Sequence, residues 1–294
     1  MDRTSQVAQA PDGRTLVFAE WGDPDGVPIF VLHGTPGCRL NRHPNEELVS
    51  SLGARILTYD RPGYGGSDRQ RGRAVADCAG DVAAIADLCD LERFAVTGGS
   101  GGGPHALAVA ALLGERVTRA ICAVGVAPLE ALGDGWTDGM DPENVKEFGW
   151  TMTGEERLVT ELEKEHDKLR QTVLSEPSAV LDQFDLPEPD REVLARPDFA
   201  EVLRESILEA ARNGVWGWAD DDLAFLKPWG FELTDIAVPT RIQYGSSDVM
   251  VPPSHGEWLA ANVPGAEVKL TELGHMGDPD ADLRDSVAWL SESS

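Results

Sequence analysis

Through the first 125 residues, short apolar runs alternate with stretches whose apolar positions recur at helical spacing. Thr15–Trp21 and Pro28–His33 read as strands, separated by the Asp-Pro-Asp-Gly turn at Asp23–Gly26. Ala54–Asp60 is a third strand. From about Arg73 to Cys89, Val75, Val82, Ile85 and Leu88 mark one face of a helix. Arg93–Gly98 then reads as a strand, Gly101–Leu113 as a helix and Val117–Gly125 as a strand. Continuous apolar strands between helices predict a parallel sheet covered on both faces.

The rhythm breaks between residues 126 and 228, where helical stretches such as Glu155–Leu174 and Phe199–Asn213 appear without a strand. Prolines at 177, 187, 189 and 197 interrupt them. Alternation resumes with a strand at Thr240–Tyr244, a helix near Pro253–Asn262, a strand at Glu267–Leu273 and a last helix ending near Leu290. The division expected is a core at 1–125 and 229–294 with a helical insertion at 126–228.

Composition adds one unusual feature. Asp and Glu number 51 against 25 Lys and Arg, a net charge of −26, and only five of the bases are lysine. That balance opposes binding to nucleic acid or anionic membranes, both of which need basic patches. It fits either a salt-adapted surface or a genome that favours Asp, Glu, Ala and Arg over Lys. No run approaches the roughly 20 apolar residues that span a bilayer, and the opening residues lack the apolar core of a secretory signal, so a cytoplasmic location is expected. Cys78 and Cys89 lie about 16 Å apart along one helix, too far for a disulfide. Cys38 falls in a loop and Cys122 in a buried strand, no C-x-x-C pair suggests a metal site, and all four cysteines read as free thiols.

The candidate chemistry begins at Gly98-Gly99-Ser100-Gly101-Gly102, a G-x-S-x-G match between a strand and a helix. Such a turn lifts a serine hydroxyl above the sheet edge and aims the N–H groups of the following helix at it. It has neither the Lys of a P-loop nor the register of G-x-G-x-x-G. A serine needs a base. Of six histidines, His275 follows the last strand, where its loop reaches over the sheet edge. His105 and His255 fall on helices, while His43 and His166 read as solvated. Asp248, just past a strand and upstream of His275, supplies the acid that orients such a base. His33-Gly34-Thr35-Pro36-Gly37 follows an apolar strand, and the backbone N–H groups of Thr35 and Gly101 are the expected oxyanion donors. His33 and Gly34 shape that loop.

With Ser100, Asp248 and His275 in that order, and with Tyr59-Asp60-Arg61-Pro62-Gly63-Tyr64-Gly65-Gly66-Ser67 as a further match, the chain resembles the α/β-hydrolase superfamily over nearly its whole length. The H-G-x-P-G and G-G-S-x-G-G motifs look most like the proline-iminopeptidase-like and small-esterase branches. Thr35 and Gly101 stand where such iminopeptidases usually carry glycine and tryptophan. The resemblance implies a mostly parallel central sheet flanked by helices, with residues 126–228 as the variable helical cap. It implies an esterase acting through an acyl-enzyme on a small ester or amide, with neither metal nor organic cofactor, as a monomer or homodimer. The alternatives are an aminopeptidase of the proline-iminopeptidase type, a cofactor-free perhydrolase or lyase, and a binding protein that keeps the fold. A dehalogenase or epoxide hydrolase would need Asp in place of Ser100.

Five of the eight tryptophans, at 136, 150, 216, 218 and 229, fall in the insertion or at its exit. Most read as packing. Asn213–Trp218 has no helical period, which makes Trp216 or Trp218 a candidate pocket wall. Asp220-Asp221-Asp222 reads as a cap for the next helix, and no single acid stands out as a ligand for a substrate amine.

Overall fold

The computed structural model describes residues 3–175 and 184–292. Eight strands form one sheet: β1 (Gln6–Gln9), β2 (Thr15–Gly22), β3 (Val27–Leu32), β4 (Ala54–Tyr59), β5 (Phe94–Gly99), β6 (Val117–Ala123), β7 (Thr240–Gly245) and β8 (Glu267–Thr271). Their order is β1-β2-β4-β3-β5-β6-β7-β8, with β1–β2 and β2–β4 antiparallel and the remaining pairs parallel. Eleven helices are seen among the described residues. They are α1 (Glu46–Ser51), α2 (Cys78–Leu88), α3 (Gly102–Leu112), α4 (Leu129–Leu132), α5 (Pro142–Thr153), α6 (Glu155–Ser175), α7 (Glu188–Leu194), α8 (Pro197–Ala210), α9 (Trp216–Phe225), α10 (Pro253–Asn262) and α11 (Pro279–Leu290).

Apolar side chains of the inner strands point to both faces of the sheet and so build two cores. On one face, α2, α3 and α10 pack on Leu16, Phe30, Leu57, Val96 and Ile242. Every residue of α3 from Gly102 to Ala110 is buried, which explains its alanine-rich sequence: small side chains let this central helix lie close to β5 and β6. On the other face, Val49 of α1 and Val287, Trp289 and Leu290 of α11 cover Trp21, Ile29, Ile56 and Ile121.

The helices α4–α9 follow β6 and precede β7. Pro197 occupies the first turn of α8, and α7 opens on Pro187 and Pro189, so these prolines start helices rather than break them. Pro177 lies outside the described residues. A third apolar cluster joins Leu158 and Leu162 of α6 to Ala210, Trp218 and the core loop residues Cys38 and Tyr64. These helices are therefore fastened to loops leaving the carboxyl ends of β3 and β4, where the candidate site lies.

Two elements escape the periodicity. The strand β1 has only four residues, Gln-Val-Ala-Gln, and joins the sheet at its edge by pairing with β2, and α1 has six residues, held at its start by Asn45 accepting from the Leu48 N–H. All four cysteines are free. No helix of the described residues is long and apolar enough to cross a membrane.

The charge excess sets a solution property. With a net charge of −26, like-charge repulsion opposes the compact state and added salt screens it. The melting temperature is expected to rise as KCl is taken from about 0.1 M towards 1 M, where the Debye length falls from roughly 10 to 3 Å. A flat or falling melting temperature in calorimetry would contradict this.

Candidate active site

Ser100 sits between β5 and α3 with φ = 54°, the left-handed region that a serine adopts only under local constraint. Its N–H donates to Ala123 O (2.9 Å) and its carbonyl accepts from Gly103 N (2.9 Å). The motif's glycines supply space rather than unusual dihedrals. A Cβ on Gly98 would fall onto the Gly102 carbonyl, and one on Gly102 onto the Leu32 carbonyl. The positive φ belongs to the serine itself.

His275 lies in the loop between β8 and α11, and its Nδ1 donates to Asp248 Oδ2 at 2.8 Å. Asp248 is buried, and its Oδ1 accepts from Met250 N (2.8 Å) and Val251 N (2.9 Å), which fixes the carboxylate. Burial pulls the proton affinity of His275 down, but the charge and hydrogen bond of Asp248 outweigh it and leave the ring raised above its ordinary value. Ser100 and His275 line one cavity of about 420 Å³ together with Gly34, Gln243, Met276 and Phe199. No hydrogen bond joins Ser100 Oγ to the histidine ring within the described chain; such contacts often tighten only when substrate binds.

Opposite Ser100 stands the loop after β3. A Cβ on Gly34 would lie 3.3 Å from Ser100 Cβ, and one on Gly101 would overlap Thr35 Oγ1. The Thr35 and Gly101 N–H groups have no hydrogen-bond partner within the described chain. The His33 Nδ1–H donates to Gly34 O (2.7 Å), and Nε2 accepts from Arg61 N (3.3 Å). Burial, then the Arg61 charge, hold this ring well below the usual imidazole range, so it is neutral. His105 and His255 are also buried and neutral, pushed down to about 3 and about 4 respectively by burial. His43, expected in solvent, is partly buried against Phe199 and lies 3.3 Å from Asp280.

What fixes the Thr35 loop is a buried ion cluster that the sequence reading misses. Asp220, Asp221 and Asp222 do not cap a helix; they lie inside α9, all buried. Asp221 Oδ2 accepts from Thr35 Oγ1 (2.7 Å), Tyr64 Oη (2.8 Å) and Arg61 (2.6 Å), and its Oδ1 pairs with Arg73 (2.6 Å). The same Arg61 guanidinium donates to the His33 and Gly34 carbonyls. Burial raises the Asp221 carboxyl, but the Arg61 and Arg73 charges override it and hold it well below the usual range. One signal was available. Trp218, Ala219, Leu223, Ala224 and Phe225 surround the three acids, so a helix here has no solvent face broad enough for them.

Beneath α5 and α9, Ser100, Thr35 and Gly101 open onto a second, smaller cavity of about 60 Å³ walled by Phe148, Phe225 and Val251. Thr35, Asn144, Glu147 and Met250 line both it and an adjoining cavity of about 210 Å³ that reaches Trp150 and Trp218. Trp218 thus faces the space beside the site, while Trp216, the other candidate wall, packs under Arg69 with the guanidinium 4.1 Å from its ring centre and lines neither of these cavities. Trp216 opens α9, although Asn213–Trp218 shows no helical period in sequence.

Asp222 lines the smaller cavity with both oxygens unmet by any protein N–H or hydroxyl. The Glu147 carboxyl faces it and accepts from Trp218 Nε1 at 2.8 Å. Two facing carboxyls share a hydrogen bond only when one is protonated. Burial, then the charges of Glu147 and Asp221, drive Asp222 well up, and burial pushes Glu147 up to about 7.

The fold as a whole has counterparts among known proteins. Residues 27–277 match the family described as alpha/beta hydrolase fold. The chain belongs to that family. It is 27% identical over 293 residues to a proline iminopeptidase of Neisseria meningitidis, covering 92% of this chain and 90% of the other. It is 27% identical over 248 residues to a bifunctional esterase/perhydrolase of Acinetobacter calcoaceticus, covering 82% and 81%. The enol-lactonase of Burkholderia xenovorans LB400 superposes with a TM-score of 0.67 at 21% identity, over 98% of this chain and all of that one. The α/β hydrolase family supports reading the chain as a hydrolytic enzyme.

Proposed function

We propose that the chain is a serine hydrolase that cleaves a small carboxylic ester. One observation carries this reading: Ser100, on a strained strand-to-helix turn, opens into the same cavity as His275, whose ring is hydrogen-bonded to Asp248. In the reaction, Ser100 Oγ attacks the ester carbonyl carbon as its proton passes to His275 Nε2. The carbonyl oxygen gains the negative charge and meets the Thr35 and Gly101 N–H groups, each worth about 2.7–4 kcal/mol in the transition state. The C–O bond to the alcohol breaks, and the alcohol takes the proton from His275. Water then repeats the sequence on the acyl-enzyme, releasing the acid and free Ser100. Asp248 keeps Nδ1 protonated, so that Nε2 is the basic nitrogen.

A second reading is favoured by Asp222 and Glu147: an aminopeptidase whose substrate amine is held by this pair. The similarity to a proline iminopeptidase agrees with it. The two are separated by assaying a short p-nitrophenyl ester against a prolyl p-nitroanilide with the wild type, Asp222→Asn and Glu147→Gln. The ester reading expects kcat/KM for the neutral ester to exceed that for the anilide by about 100-fold or more, and to change by less than about threefold in either variant. A preference for the anilide, with KM raised about tenfold or more in the variants, would overturn it in favour of the peptidase.

A further inference from the structure

We propose that Asp190, on the inserted helix α7, is a positioning residue for His275: it grips the backbone of the histidine loop and ties the placement of the base to the seating of the insertion. Both oxygens of this fully buried carboxylate are used, Oδ2 by His275 N–H at 2.8 Å and Oδ1 by Met276 N–H at 3.0 Å. Within the described chain no other hydrogen bond reaches the backbone from Gly274 to Gly277. Its neighbours are held separately, Leu273 O by Ser247 N (3.2 Å) and Asp278 by the cap it forms on α11. Gly274 makes the approach possible, because a Cβ there would fall onto the Asp190 carboxylate.

Two carboxylates therefore converge on His275 from different parts of the chain. Asp248 binds the ring from the turn after β7, and Asp190 binds the backbone from the insertion. Both favour the imidazolium, against the cost of burial. The other charged groups near the loop include Asp278 and Asp282 at the start of α11, with Asp282 paired to Lys269 at 2.7 Å, and His43, across the cavity, with its partner Asp280, which Arg196 also holds at 2.7 Å. None of these forms a hydrogen bond with the His275 backbone or ring. Removing the Asp190 charge lowers the proton affinity of His275 and frees its backbone. Misplacement of the base by about 1 Å is enough to cost on the order of 100-fold in rate.

The role assigned to Asp190 rests on the serine-hydrolase reading, and the experiment separates the two. The His275 ring is titrated by NMR, and ester kcat and KM are measured, in the wild type, Asp190→Asn, Gly274→Ala and Arg191→Ala. Asp190→Asn keeps the shape and loses the charge and one acceptor. Gly274→Ala displaces the carboxylate from the other side, should the first variant fold poorly. Arg191→Ala weakens the same helix start, where Arg191 donates to Leu186 O, but leaves Asp190 in place. Asp190→Asn and Gly274→Ala are expected to shift the His275 midpoint to lower pH and to cut kcat about 10–100-fold with little change in KM. Arg191→Ala should keep the wild-type midpoint. A wild-type midpoint and kcat in both Asp190→Asn and Gly274→Ala overturn the inference, as does an equal shift in Arg191→Ala. The NMR titration needs no turnover, so it reads the Asp190 role even if Ser100 proves not to be the nucleophile.

Discussion

Replacing Ser100 by alanine is expected to lower kcat for a short p-nitrophenyl ester by about four orders of magnitude or more, with little change in melting temperature. The magnitude follows from what the change removes. An alanine methyl cannot form the acyl-enzyme, so the remaining reaction is attack by water, assisted only by the oxyanion donors and by binding. The fold should tolerate the change, because Ser100 Oγ makes no hydrogen bond within the described chain and the backbone contacts of the elbow use only its N–H and C=O. Alanine must still adopt φ near 54°, as serine does, so the strain in the turn is similar in both. Stopped assays with purified variant, checked by circular dichroism, would decide the point. Turnover within tenfold of the wild type in a folded variant would remove Ser100 from the mechanism.

Asp221→Ala carries the largest expected effect on stability, a loss of about 3–5 kcal/mol. The substitution leaves the Arg61 and Arg73 guanidiniums buried without their shared counter-ion, and it removes the acceptor that holds Thr35 Oγ1 and Tyr64 Oη. Uncompensated buried charge, rather than the lost attraction itself, dominates this cost. The contrast is Glu155, whose partly exposed carboxylate pairs with Arg69 and Arg71; water screens those pairs, and Glu155→Ala should cost less than about 1 kcal/mol. Urea denaturation of both variants beside the wild type measures the difference. Similar midpoints for Asp221→Ala and Glu155→Ala would show that the cluster does not behave as a buried ion centre. A second consequence concerns rate: once Thr35 Oγ1 loses its acceptor, the loop bearing the proposed oxyanion donor is no longer fixed beside Ser100, so residual folded Asp221→Ala should also lose kcat.

The parts of this picture that sequence reveals are local ones. A glycine-flanked serine between an apolar run and an alanine-rich helix announces its turn within a few residues, and strands such as Ala54–Tyr59 show in their β-branched and aromatic content. The separation of Ser100, Asp248 and His275 along the chain was legible because each follows a predicted strand. What stayed hidden depends on pairing across long distances. Asp221 meets Arg61 from 160 positions away and Asp190 meets His275 from 85, and among 51 acidic residues neither is distinguished by type. Trp216 and Trp218 differ only in which way the first turn of α9 faces, which no period in Asn213–Trp218 announces. The positive φ at Ser100 likewise falls on the one residue of the motif that sequence would not choose for it.

The proposed mechanism also sets a pH limit. Only its neutral form accepts the Ser100 proton, and its proton affinity is raised, so activity should fall as pH drops through a midpoint above the ordinary imidazole value of about 6.5. The central claim, that Ser100 is the nucleophile activated by that base, is tested most directly by reacting the protein with a fluorophosphonate and mapping the adduct by mass spectrometry. One phosphonyl group is expected on the peptide containing Ser100, formed faster above the His275 midpoint than below it. An unlabelled wild-type protein, or an adduct on any other residue, would contradict it.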